Sequence, residues 1–328
     1  MKHKSVLLKE SIDFLNIRED GVYVDATLGY GGHSLEILKR ISKGFLFAFD
    51  QDSEAIEYST ERLKDYHNYK IIKSNFANMK ECLLKENVSK VDGILFDIGV
   101  SSMQLDEDYR GFSFHNDAPL DMRMDTDSGF SAYNVVNDYS YSDLVKILRD
   151  YGEEKYASSI ARNIVKEREN KEIKTTLELV EIIKKSMPQR ELRNGHPARK
   201  TFQAIRIEVN HELDVLEEAL VQALDLLNVG GRVCIITFHS LEDRIVKNIF
   251  KKYSEIDNKF AKLPYVPDEY MPKFKVICKG ITASNEELEE NNRARSAKLR
   301  VIERIKDWYL WQRKRKSKEK KKHYIGYL

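Results

Sequence analysis

Asp25-Ala26-Thr27-Leu28-Gly29-Tyr30-Gly31-Gly32-His33 is the stretch that decides the fold. It follows a short apolar run, residues 22–24, and precedes residues with helical spacing, so it predicts a strand, a glycine turn and a helix. Glycine permits left-handed backbone and lets a ligand lie against bare main chain. The start of the next helix offers unpaired N–H groups to a polar or anionic ligand.

This turn fits a methyl donor better than a dinucleotide. A dinucleotide fingerprint is G-x-G-x-x-G/A, and only Gly29 and Gly31 satisfy it, because the third position is Ser34. The carboxylate of Asp25 would repel a pyrophosphate, but it suits the cationic amino-acid end of S-adenosylmethionine, directly or through water. Asp50 ends the next apolar run, where the ribose hydroxyls of a nucleotide are expected. A purely structural glycine turn is the alternative.

Strands alternate with helical patterns through the first hundred residues. Apolar runs that end near Asp25, Asp50, Ser74 and Asp97 predict four strands. Such alternation predicts an α/β fold with a parallel, doubly wound, Rossmann-like sheet. Ligands bind at the carboxyl ends of such strands. The residues expected to meet in one cleft there are Asp25, Asp50, Phe76 and Asp97.

After Asp97 the pattern changes to loops and helices, which predicts an inserted all-helical subdomain. One of its helices opens at Thr175, where Glu178 completes a capping box. Beyond the insertion we predict one long helix over residues 202–224, a fifth strand over 232–238, and a final two-stranded hairpin. The predicted organisation is a discontinuous donor-binding domain (1–104 and 200–312), the helical insertion (105–199) and a basic tail (313–328).

Positive charge is concentrated rather than spread over the chain. The 328 residues carry a net charge of +2, but residues 313–322 hold eight Lys or Arg and one Glu, so the rest sums to −5. A nucleic-acid footprint is therefore expected to be local.

No apolar run approaches the ~18 residues of a membrane span, no signal-peptide core is present, and the cysteines form no metal or disulfide pattern. We expect a cytoplasmic protein without membrane association.

Eight separated blocks of sequence resemble one family. They are 25–33, 97–102, 104–106, 110–114, 119–125, 201–206, 238–244 and 293–300. They resemble the RsmH (MraW) family of small-subunit rRNA methyltransferases. The resemblance implies a class I methyltransferase fold whose helical insertion recognises the substrate. It also implies S-adenosylmethionine-dependent methylation of N4 of one cytidine, position 1402 in standard numbering, in the decoding region of 16S rRNA.

Cofactor contacts are assigned partly from the resemblance and partly from the residues themselves. Matching positions imply contacts from Gly31, Gly32, His33, Asp50, Phe76, Asp97 and Gln104, and the turn itself adds Asp25 and Gly29. Asp97 is the first candidate catalytic residue, as the acceptor of an N4 proton, although it could instead bind only the amino group of the cofactor. His239 follows the fifth strand and is the second candidate, with a structural role as its alternative.

Cationic and aromatic side chains of the insertion and the following helix are the expected substrate contacts. They are Arg110, Phe112, Phe114, Arg123, Arg199 and Arg206. This mixture suits a base that is flipped out and stacked while its phosphates are held. For Phe112 and Phe114 a place in the core is the alternative. Asp121 and Asp125 are expected to pair with Arg123 or to start helices rather than to bind a metal, and no metal is expected.

Three questions stay open at the level of sequence. The chain could be a methyltransferase that acts on another RNA, a protein or a small molecule. It could also be a non-catalytic ribosome-assembly factor that keeps the fold. No apolar helix stripe decides the oligomeric state, so a homodimer is neither indicated nor excluded. C5 methylation of cytosine is disfavoured, because it needs a cysteine nucleophile at the cleft and no cysteine ends a strand.

Overall fold

The computed structural model describes residues 5–100, 108–193, 195–261 and 263–305. They group into two compact units. The sheet unit comprises residues 1–50, 59–98 and 216–328, and the helical unit comprises residues 51–58 and 99–215. The predicted insertion, 105–199, is shorter than the helical unit, and its role in substrate recognition stays a prediction. Gln104 and the basic tail lie outside the described residues.

The sheet unit is built on one seven-stranded sheet. Its strands are β1 Val22–Asp25, β2 Phe45–Asp50, β3 Tyr69–Lys73, β4 Val91–Asp97, β5 Leu227–Thr237, β6 Phe274–Ile281 and β7 Lys298–Arg304. Their spatial order is β3-β2-β1-β4-β5-β7-β6. Strands β1 to β5 pair in parallel, whereas β7 runs antiparallel to both β5 and β6. The predicted parallel sheet and its final hairpin are therefore confirmed.

Helices occupy both units, and those of the described residues are numbered here in chain order. They are α1 Leu8–Leu15, α2 Gly32–Leu38, α3 Ser53–Leu63, α4 Met79–Lys85, α5 Ala132–Asp138, α6 Tyr141–Asp150, α7 Ala157–Arg168, α8 Thr176–Lys185, α9 Arg199–Asn210, α10 Glu212–Leu226, α11 Ser240–Ser254 and α12 Asn285–Glu290. Among the described residues, every helix is too short or too polar to cross a membrane.

Burial explains why the central strands read as nearly continuous apolar runs. Val24, Phe49, Ile94 and Ile235 are all fully buried, as expected for parallel strands that are covered on both faces. The carboxyl ends of the strands become the place where polar side chains gather.

The helical unit has an apolar core of its own. Its helices α5 to α9 bury Leu144, Ile160, Leu179 and Ile205 among many other apolar side chains. The predicted capping box at the start of α8 is present, because Thr175 and Glu178 each bond the other's backbone N–H. Helix α5 was not predicted, because its seven residues are too few to give a periodic apolar signal.

The prediction of one helix over residues 202–224 is wrong. The chain leaves the helix at His211, which has the left-handed angles φ 49° and ψ 36° and caps α9. A left-handed residue ends a helical hydrogen-bond ladder, so α10 begins anew at Glu212. The apolar spacing continues across the break, and this is why the sequence pattern did not reveal it.

Candidate active site

Three aspartates end three neighbouring strands of the sheet unit. Asp25 ends β1, Asp50 ends β2 and Asp97 ends β4. Strand β1 lies between β2 and β4. Its last residue, Asp25, is paired with Ala48 of β2 and with Leu95 of β4. Because the three strands are parallel, their carboxyl ends share one edge of the sheet.

The glycine turn after β1 is anchored by its backbone. The N–H of Gly29 donates to Oδ2 of Asp50 at 2.8 Å, and the carbonyl of Gly29 accepts from Oγ of Ser59 at 2.6 Å. Gly29 and Gly31 have left-handed φ values of 47° and 68°, which glycine adopts without strain. A Cβ on Gly29 would meet no atom of the described residues within 4 Å, so these residues leave this face of the turn open.

Asp25 supports the turn from inside the protein. Its side chain is completely buried and accepts hydrogen bonds from Oγ of Ser34 at 2.7 Å and from the N–H of Thr27 at 3.2 Å. Burial raises the pKa of Asp25 to about 7, although the bond from Ser34 opposes that rise. The side chain of Asp25 therefore exposes no oxygen for the expected direct contact with a ligand. A role of Asp25 in cofactor binding stays a prediction.

Asp97 is the polar group of this edge that is best placed to receive a ligand. Its backbone N–H donates to Oγ1 of Thr27 at 2.7 Å, and its Oδ2 lies 3.8 Å from Nδ1 of His33. The side chain is 24% exposed, yet Oδ1 is buried and accepts no hydrogen bond from the described residues. Burial, reinforced by the charges of Asp25, Glu242 and Glu287, raises the pKa of Asp97 to about 8.

Other predicted cofactor residues also belong to the sheet unit. Gly31 is the N-cap of α2, and Gly32 and His33 form its first turn, both of them buried. Phe76 follows β3, is half-buried, and packs edge-on against Phe96 with ring centroids 5.7 Å apart. Contacts of all these residues with a cofactor stay predictions.

His239 has a structural task at the end of β5. It is the N-cap of α11, where its Nδ1 accepts a hydrogen bond from the backbone N–H of Glu242. Its Nε2 lies 3.0 Å from Oε1 of the Glu242 side chain. In return, Glu242 accepts from the N–H groups of Phe238 and His239. A catalytic role for His239 stays a prediction.

The predicted RNA contact at Arg110 needs correction. Its guanidinium is only 3% exposed and bonds Oδ2 of Asp52 at 2.9 Å and Oε2 of Glu54 at 3.0 Å. A second nitrogen donates to the carbonyl of Arg123 at 3.1 Å. Phe112 is 6% exposed and belongs to the core of the helical unit. Both side chains therefore hold the helical unit together and are not open to RNA.

Two further predicted cations also have partners within the helical unit. Arg123 bonds both oxygens of Asp121, at 2.8 and 2.7 Å, which confirms the predicted pairing. Arg206 makes a similar two-fold bond to Glu212, at 2.7 and 2.8 Å. Arg199 is exposed, and contact between its guanidinium and RNA stays a prediction.

Sequence reasoning missed the side chains that hold the glycine turn in place. Thr27 and Ser34 lie in or next to the turn and bond Asp97 and Asp25. Arg62, on α3, donates to the carbonyl of Tyr30 at 2.8 Å. The hydroxyls within the turn were a usable signal. Arg62 gave no such signal, because nothing local in the sequence links it to Tyr30, 32 positions away.

The fold and the site together define a class I methyltransferase. The strand order with an antiparallel β7, the bare glycine turn after β1 and the acidic ends of β2 and β4 are its components. The MraW methylase family model matches residues 1–305. The chain belongs to the MraW methylase family.

The chain is similar to one curated relative and to several solved structures. The ribosomal RNA small subunit methyltransferase H of Exiguobacterium sibiricum is 55% identical over 309 residues, which are 93% of this chain and 99% of the relative. Among solved structures, an rRNA methylase from Streptococcus thermophilus is 12% identical with a TM-score of 0.43, covering 93% of this chain and 99% of that one. A Streptococcus mutans protein in complex with SAH is 12% identical with a TM-score of 0.44, covering 92% and 100%.

Proposed function

We propose that this protein transfers a methyl group from S-adenosylmethionine to the N4 amino group of a cytidine in the decoding region of 16S rRNA. Membership of the MraW methylase family and 55% identity to a small-subunit rRNA methyltransferase support the reaction class and the substrate. The observation that carries the proposal is the buried Oδ1 of Asp97 at the end of β4, which accepts no hydrogen bond from the residues that the structure describes.

The residues around the turn fit S-adenosylmethionine, which supplies an electrophilic methyl group on a sulfonium when bound. The open face of Gly29 admits a ligand against bare backbone. Asp50, half-buried at the end of β2, is suited to accept from ribose hydroxyls. Asp25 and Asp97 place two carboxyl groups in a largely desolvated edge, and such groups favour a cationic ligand because a nearby positive charge stabilises their ionised form.

Asp97 has the chemistry that an exocyclic amine needs. The lone pair of cytosine N4 is delocalised into the ring, so the amine becomes nucleophilic only as it pyramidalises. A carboxylate oxygen that accepts one N4–H favours that change and takes up the departing proton. Direct transfer to nitrogen requires little else beyond alignment of the two reacting groups and a preorganised electrostatic environment.

The cysteines support transfer to nitrogen over transfer to carbon. Methylation at C5 of cytosine proceeds through a thiolate nucleophile, which needs a lowered pKa and access to the base. Cys234 and Cys278 are buried within strands, and burial raises the pKa of the Cys234 thiol. Cys82 is half-buried in α4, where it packs against the core of the sheet unit. None of the three meets that requirement.

The proposal also names a partner and a location. The substrate is the small ribosomal subunit or its rRNA, so the protein acts where ribosomes assemble, in the cytoplasm. Whether it acts as a homodimer is a separate matter on which the proposal does not depend.

The test is mass spectrometry of nucleosides from small-subunit rRNA. RNA from cells with and without the gene, and RNA treated with purified protein and S-adenosylmethionine, is digested and compared. We expect N4-methylcytidine at one decoding-region position only where active protein is present, and none with Asp97→Ala. A C5 or ribose methyl group would contradict the proposed chemistry. Donor binding without any product would identify a non-catalytic assembly factor, and methylation of other substrates alone would refute the rRNA assignment.

A further inference from the structure

The rings of Phe114, His115 and His196 form a cluster on the surface of the helical unit. The rings of Phe114 and His196 are nearly parallel, with centroids 4.3 Å apart and an interplanar angle of 20°. His115 meets His196 edge-on at 5.2 Å, and Phe114 also packs edge-on against Phe202 at 5.7 Å. Phe202 is buried, Phe114 and His196 are half-buried, and His115 is exposed. The cluster thus leads from the core to the solvent.

His196 is held in a defined state within this cluster. Its Nδ1 accepts a hydrogen bond from the N–H of Ala198 at 3.3 Å, so the neutral ring carries its proton on Nε2. Burial lowers the pKa of His196, and the neighbouring His115 and Lys184 lower it further. At neutral pH the ring is therefore an uncharged aromatic surface with one N–H donor, which is what a stacking platform for a base requires.

The segment around His196 is the strongly basic part of the described chain. Residues 184–200, called here the basic segment, contain six Lys or Arg and one Glu, a net charge of +5. The whole chain carries +2 and the tail +7, so the remaining residues sum to −10. Side chains of the basic segment are open to solvent, with Arg190 78% and Lys184 41% exposed. Positive charge in this unit is thus concentrated beside the ring cluster.

We propose that His115 and His196, supported by Phe114, stack an unpaired RNA base while the basic segment holds the flanking phosphates. Aromatic stacking combined with a local positive field is the general means by which proteins bind single-stranded nucleic acid. An acidic protein surface would use the charge but not the ring faces, and so fits the cluster less well. The inference deepens the proposed function, on which it rests for the identity of the RNA.

The test is binding of a decoding-region fragment of 16S rRNA to full-length protein without methyl donor, followed by fluorescence anisotropy. The double variant His115→Ala/His196→Ala should bind roughly tenfold more weakly, in line with stacking of one base. His196→Phe, which keeps the ring face, should retain most of the affinity. His67→Ala removes an exposed histidine of the sheet unit and is the matched control.

Salt dependence separates the two parts of the subsite. Arg193→Ala and Arg199→Ala should each reduce the slope of log affinity against log salt by about one, because each loses one phosphate contact. The histidine double variant should leave that slope unchanged. Unfolding midpoints and donor affinities are measured alongside, so that a folding defect is recognised.

Unchanged RNA affinity in the histidine double variant would overturn the inference, as would an equal loss in His67→Ala. Loss of affinity for an acidic peptide but not for RNA would show a protein-binding face instead. Because binding is measured without turnover, these outcomes are independent of the methylation test. Wild-type protein that binds the fragment through these rings but methylates no rRNA would refute the proposed function and leave the RNA subsite standing.

Discussion

Nδ1 of His33 lies 3.8 Å from Oδ2 of Asp97, so the first turn of α2 and the end of β4 meet at the carboxyl edge of the sheet. This separation is too long for a direct hydrogen bond. The other carboxyl oxygen of Asp97 accepts no bond from the described residues. A carboxyl group that is buried and incompletely bonded in this way is destabilised in its ionised form, and a ligand that donates a hydrogen bond or brings positive charge relieves the cost.

Asp97→Asn should separate catalysis from donor binding. The amide keeps the shape of the side chain but cannot accept the N4 proton, so turnover at saturating donor should fall by roughly 100-fold or more. Affinity for S-adenosylmethionine should fall less. Single-turnover rates and calorimetric donor affinities provide the two measurements, and Asp65→Asn, at an exposed position on the same unit, is the control. Weakened donor binding with unchanged turnover at saturation would remove the catalytic role of Asp97.

Donor binding should depend on pH through the Asp25 and Asp97 pair. Their pKa values of about 7 and about 8 mean that both carboxyl groups are largely protonated at pH 6 when no ligand is bound. A cationic donor lowers these pKa values, so affinity should rise from pH 6 to pH ~8.5 and binding near pH 7 should release protons.

Calorimetry in buffers of different ionisation enthalpy measures the released protons directly. Asp97→Asn should release fewer protons than the wild type, because one of the two coupled groups is gone. The same linkage predicts that the ligand-free protein loses stability as pH rises from about 4 to about 8, since between these values the two carboxyl groups are ionised in the unfolded chain but still protonated in the folded protein. Donor affinity and proton release that are flat between pH 6 and pH 8.5 would contradict the prediction.

Gly29→Ala and Gly31→Ala should fail in different ways. Both positions have left-handed φ, which costs an alanine roughly 1–2 kcal/mol. A Cβ on Gly31 would also lie 3.1 Å from Oγ of Ser59, so Gly31→Ala should destabilise the fold more. A Cβ on Gly29 would meet no atom of the part of the chain that the structure describes, but it would occupy the open face of the turn. Gly29→Ala should therefore weaken donor binding by more than its loss of stability explains.

Thermal unfolding and calorimetric donor affinity, measured on both variants, decide this comparison. The proposed location of the donor would be wrong if Gly29→Ala bound S-adenosylmethionine like the wild type.

The sheet and the polar ends of its strands could be predicted because the physical signals are local. Buried parallel strands read as apolar runs, and a strand can end in Asp50 or Asp97 only where the chain leaves the core. Thr175 and Glu178 likewise specify a helix start three residues apart. Each of these predictions needed only a short window of sequence.

The features that escaped prediction depend on partners far apart in the chain or on backbone angles. The break at His211 comes from a left-handed backbone that the apolar spacing does not reveal. Arg110 was expected to bind RNA because an arginine near aromatic residues fits that role, and its partner Asp52 lies 58 residues away. Residue type alone does not distinguish a cation that holds the fold from one that meets a phosphate.

Arg110→Ala tests that distinction directly. It leaves Asp52 buried and without its cationic partner, and removal of one member of a buried ion pair costs about 3–5 kcal/mol. Arg110→Lys keeps the charge but cannot bond Asp52 and the carbonyl of Arg123 at once, so its loss should be smaller. Lys171→Ala, which removes an exposed pair with Glu178, should leave the free energy of unfolding nearly unchanged.

Urea unfolding, with hydrogen exchange to locate the loss in the helical unit, measures these effects. RNA affinity of the folded Arg110→Lys protein should match the wild type, because the guanidinium is only 3% exposed and touches carboxylates rather than solvent. If Arg110→Ala instead kept full stability and lost RNA affinity, the arginine would be a phosphate contact after all, and the description of the helical unit around it would have to change.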